Sequence, residues 1–121
     1  MTWLLPVAWL AGCAAPAGLE PSGATCPPDS PLTYSNFGAP FMTSYCVQCH
    51  ASTLSENQRQ GAPLFHDFDT LEGIVAVWQH VDETTAAGPL RVNTLMPPSD
   101  PRPGLAERTS LGEWLACGLP P

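Results

Sequence analysis

The chain has 121 residues, a formal charge of −7 with four arginines and no lysine, and 44% hydrophobic side chains. That length holds one small domain and an export segment, not two domains. The acidity repels phosphate backbones and anionic headgroups, so nucleic acid is excluded as a partner and solubility is the plain meaning of the charge.

Fifteen prolines and ten glycines predict long ordered loops between a few helices. A domain this small buries a modest share of its surface, so covalent staples are expected. Five cysteines stand at 13, 26, 46, 49 and 117. That is more than a reduced cytosolic chain ordinarily carries, and the odd number implies separate tasks.

Trp3 to Leu10 reads WLLPVAWL. The run is too short for a bilayer span of about 20 residues but has the length of a signal-peptide core. Leu10-Ala11-Gly12-Cys13 follows and resembles the lipobox of bacterial lipoproteins. The resemblance implies a signal peptide over 1–12 and acylation of Cys13 as the first mature residue. The other reading is an ordinary secretory signal with a chance cysteine. Ala14 in place of an aspartate favours the outer membrane over the inner. Residues 13–32 form an acylated N-terminus and a linker rich in Pro, Gly, Ala and Ser, without a periodic apolar face. With Cys26 pinned, the free tether is Ala14 to Thr25.

Residues 33–121 are expected to form the folded domain. Asn36 to Tyr45 carries Phe37, Phe41 and Tyr45 at helical spacing, with Pro40 required near the first turn. Cys46-Val47-Gln48-Cys49-His50 is CxxCH, the attachment motif of c-type haem. On a helix, positions i, i+3 and i+4 share one face, so both thiols and the imidazole meet one flat ligand. Three other readings stand beside it: a thioredoxin-like redox pair, half a zinc site completed by His66 or His80, and a tight structural disulfide.

Asp69-Thr70-Leu71-Glu72 resembles a capping box with Asp69 as the cap. It opens a helix with Leu71, Ile74, Val77, Trp78 and Val81 on one face, ended by Gly88-Pro89. That phase points His80 away from the core. Met96-Pro97-Pro98 then predicts a stiff, extended loop, well suited to hold a thioether as sixth iron ligand. Met42, His66 and His80 are its rivals, and a packed core methionine is the plainer role. Pro103 opens a last helix carrying Leu105, Leu111, Trp114 and Leu115, and Gly118 stops it.

CxxCH, a later Met-Pro-Pro loop and a C-terminal helix resemble the class I cytochrome c family over about residues 33 to 119. With the lipobox, the whole resembles a small cytochrome lipoprotein of Gram-negative bacteria. The resemblance implies an all-α fold of three to four helices around one covalent haem c. It implies thioether bonds at Cys46 and Cys49, and axial ligation by His50 and Met96. It places Gly38 and Phe41 of the first helix against Leu111 and Trp114 of the last. Gly61-Ala62-Pro63-Leu64 resembles the family loop whose proline carbonyl orients the proximal histidine, unless Pro63 is an ordinary turn proline. Since first and last helices touch in the family, Cys26 and Cys117 are expected to form a disulfide, with two separate thiols as the alternative.

The expected function is one-electron transfer on the periplasmic side of the envelope, not enzyme catalysis. The partners would be a redox protein and, through the lipid alone, the membrane. The alternatives are a haem enzyme or gas sensor with an open sixth position, and a non-haem zinc-binding or structural lipoprotein.

Overall fold

A computed structural model describes residues 19–121. The apolar run, the lipobox-like segment and Cys13 lie outside the described residues. Regular structure in the described part is helical, with no strand beyond one isolated bridge between Ala87 and Val92. The expectation of an all-α chain holds at that level. None of the described helices is long and apolar enough to cross a membrane.

The first helical turn begins earlier than the aromatic spacing predicts. Thr33 caps a π-helical turn, Tyr34–Gly38, by accepting from Asn36 N at 3.1 Å, while Asn36 Oδ1 accepts from Thr33 N at 2.8 Å. The reciprocal pair satisfies amides that a helix start otherwise leaves open. Helix α1, Ala39–Tyr45, follows with Pro40 in its first turn, where the missing N–H costs nothing. Phe37 packs on Phe41 in a tilted arrangement and Phe41 on Tyr45 edge-on, at centroid distances of 5.5 and 5.1 Å.

The single central helix of the sequence pattern is two helices. Thr70, not Asp69, caps α2, Leu71–Ala76, by accepting from Gly73 N. Asp69 instead accepts from the amide and hydroxyl of Ser52. The chain leaves helical geometry at Val77 (φ −134°, ψ 27°) and restarts as α3, Trp78–Thr85, short of the expected end at Gly88. The break changes the phase. Ile74 and Val81 are both buried, while Trp78 swings out to 39% exposure.

Helix α4, Leu105–Ala116, closes the core. Its end is a Schellman turn: Leu119 N reaches Trp114 O and Gly118 N reaches Leu115 O. Gly118 sits at φ +86°, where glycine alone is unstrained. Trp114, Leu111 and Ile74 are fully buried, each stabilising the fold by about 2 kcal/mol. A Cβ on Gly38 would stand 2.7 Å from the Trp114 ring, so the aromatic packing requires that glycine. Phe41, Leu111 and Trp114 share one core cluster, and Gly38 lies against the Trp114 ring.

Cys26 and Cys117 are disulfide-bonded, with Cα atoms 4.7 Å apart and a sequence separation of 91. Replacing both with serine should lower stability by on the order of 4 kcal/mol, seen as a reduced urea midpoint. An unchanged midpoint would show that the bridge contributes nothing. Residues ahead of it are not a free tether. Ser22 is buried, its amide and hydroxyl donate to Asp82 at 2.8 and 2.6 Å, and its carbonyl accepts from Leu90 N.

Candidate cofactor site

Cys46, Cys49 and His50 lie just past α1, on hydrogen-bonded turns and not on the helix itself. Cys49 N and His50 N both donate to Cys46 O, at 3.2 and 2.9 Å. The turns therefore keep the i, i+3 and i, i+4 proximity that the motif needs. All three side chains line one cavity of about 360 Å³. That volume is in the range of small-molecule cofactor pockets. Its apolar walls include Phe41, Phe68 and Val81.

Met96 lines the same cavity from a loop distant in sequence. Its backbone is fixed on both sides: Met96 N donates to Thr84 O at 2.9 Å, and Met96 O accepts from Arg108 Nη1 at 2.9 Å. Of its rivals, Met42 is buried in the core and does not line the cavity. His66 and His80 do line it, with ring centroids 5.0 Å apart. The position of His80 corrects the sequence reading. The break at Val77 resets the phase of α3 and turns residue 80 toward the cavity with Thr84, one turn later.

His50 Nδ1 lies 3.1 Å from His66 O, so the proline role implied for Pro63 falls to the carbonyl of His66. Pro63 O instead accepts from Arg59 Nη2. A carbonyl at Nδ1 fixes the tautomer and leaves Nε2 free to ligate. Phe68 stacks on His50 at 4.6 Å, held by its amide bond to His50 O. Burial, foremost, holds the His50 pKa below the usual histidine value, so the neutral, ligating form is favoured.

Two arginines missed by sequence reasoning organise the cavity walls. Arg59 is 1% exposed and donates to the carbonyls of Ala51, Pro63 and His66 at 2.7, 2.8 and 3.0 Å. It stands 2.9 Å from Asp67 Oδ1, an ion pair by distance whose angle leaves that oxygen without a hydrogen bond. Arg108, 4% exposed, binds the carbonyls around Met96. The available signal was scarcity: a chain with four cations has few reasons to bury two of them.

The donor set fits haem c. Cys46 and Cys49 are free thiols and not bonded to each other, so both remain available for thioether formation. Burial pushes the Cys46 thiol up to about 12. A redox-active CxxC needs a depressed pKa, and this environment does the opposite. Among the described residues, no three His, Cys, Asp or Glu side chains converge as a metal site of their own. Haem asks less of the protein, since the porphyrin supplies four of the six iron ligands and the chain only the axial pair. Comparison with protein families, with curated proteins and with solved structures returned no match.

Proposed function

We propose that the chain is a single-haem c-type cytochrome module that carries one electron at a time on the periplasmic side of a bacterial envelope, with a class I-like topology. The observation that carries this reading is the convergence of Cys46, Cys49, His50 and Met96 on one cavity. Bound haem would supply the iron redox couple. Cys46 and Cys49 would bind it covalently, and His50 and Met96 would be its axial ligands. The His66 carbonyl orients the imidazole, while Thr84 and Arg108 hold the methionine loop. Two filled axial positions keep iron geometry nearly constant between oxidation states, which favours fast electron exchange over substrate turnover. Expression in an export-competent host and haem staining after denaturation tests the covalent link. A chain that loses all haem on denaturation is not a c-type cytochrome.

Cys13 is proposed as the acylated anchor, on the strength of Leu10-Ala11-Gly12-Cys13. Mass spectrometry should find the mature amino terminus at Cys13 with a diacylglyceryl group, and Cys13→Ser should remove it. An unmodified mature terminus elsewhere would exclude the anchor.

A further inference from the structure

We propose that Arg108 is the positioning residue for the sixth ligand, and that its unpaired charge raises the reduction potential of the haem. The inference rests on the haem reading above and adds a residue that no motif marks.

Arg108 projects from the rigid α4 and is 4% exposed. Its Nη1 reaches three carbonyls at 2.9 Å each: Thr85 at the end of α3, Asn93, and Met96. Nη1 has two hydrogens, so the three acceptors share them in a forked arrangement. Nε donates to Pro103 O at 3.2 Å. One guanidinium thus joins α3, the Asn93–Met96 segment and the start of α4. Met96 has little other freedom, because its amide is already bound to Thr84 O.

Among the described residues no carboxylate pairs with Arg108; every acceptor on it is a carbonyl. An arginine stays charged in this setting, so a full positive charge is buried with only carbonyl dipoles bonded to it, and the one charged arginine acting on it, Arg102, repels it. Apolar packing would fill the same volume at lower cost. Its guanidinium bonds the carbonyl of Met96, which lines the cavity, so the charge stands one residue from where haem would be held. Ferric haem carries one more positive charge than ferrous haem, so a fixed cation there disfavours oxidation.

The test uses the exported holoprotein with Arg108→Gln and Arg108→Lys. Three quantities are read: covalent haem, the midpoint potential, and imidazole affinity of the ferric form. Imidazole competes with the thioether for iron, so its affinity reports how firmly the loop is held. Losing a charged hydrogen bond to Met96 O should raise that affinity about tenfold or more in both variants, since lysine lacks the planar fork. The potential should fall most in Arg108→Gln and less in Arg108→Lys, which keeps the charge. A purely structural role would not produce that order. Variants with covalent haem, wild-type imidazole affinity and wild-type potential overturn the inference and leave the haem reading intact. If the glutamine variant yields no holoprotein, Arg108→Lys decides: wild-type imidazole affinity overturns the proposal, and raised affinity supports it. Wild-type chain without covalent haem overturns the haem reading itself, and this inference with it.

Discussion

Cys46→Ala with Cys49→Ala yields a chain that retains no haem through denaturation, while each single variant keeps a weakened attachment. Both thiols line the cavity, neither is used in a disulfide, and each would form one thioether bond. The single variants should keep one of the two links. The double variant should also unfold more readily, because a small fold loses a large buried cofactor along with its staple. Haem staining of denaturing gels and the intact mass read the result directly. Covalent haem surviving in the double variant would place the attachment elsewhere and end the assignment.

Met96→Ala should leave the haem attached but open the iron. The near-infrared thioether–iron charge-transfer band should vanish, the potential should drop, and ferric iron should bind imidazole stoichiometrically. The expectation follows from the loop geometry, in which Thr84 and Arg108 hold the Met96 backbone beside the cavity. Alanine there removes the sulfur but keeps those backbone bonds, so the loop itself should stand. His80 makes this experiment more informative than the sequence suggests. It lines the same cavity, one helical turn before Thr84. A variant that remains six-coordinate through two nitrogen ligands would identify His80 or His66 as a replacement ligand. Persistence of the sulfur band would show that Met96 is not the ligand.

The sequence displayed the short-range chemistry of the site. CxxCH and Met-Pro-Pro are local patterns whose spacing or stiffness carries meaning by itself, and both fall on the cavity. The aromatic stripe was likewise visible as spacing, whereas the Gly38–Trp114 contact was expected only from the family resemblance. What stayed hidden depends on tertiary packing. No proline or glycine stands at Val77, so nothing local marks the break between α2 and α3. Ile74 and Val81 stay in the core on either side of the break, while Trp78 lies outward and His80 lines the cavity. Carbonyl acceptors leave no trace in side-chain identity, so the substitution of His66 O for Pro63 O could not be read. The same holds for Arg59 and Arg108, whose partners are almost wholly backbone oxygens. Sequence patterns of charge pairing search for carboxylates and pass over such sites.

The most direct test of the central claim is a spectroscopic redox titration of the exported, purified chain. The account predicts covalent haem with a six-coordinate, low-spin spectrum in both oxidation states, a thioether–iron band in the ferric form, and a single reversible one-electron transition. A high-spin, five-coordinate spectrum would contradict it in favour of an open-site haem protein, and a colourless chain would contradict the haem assignment altogether.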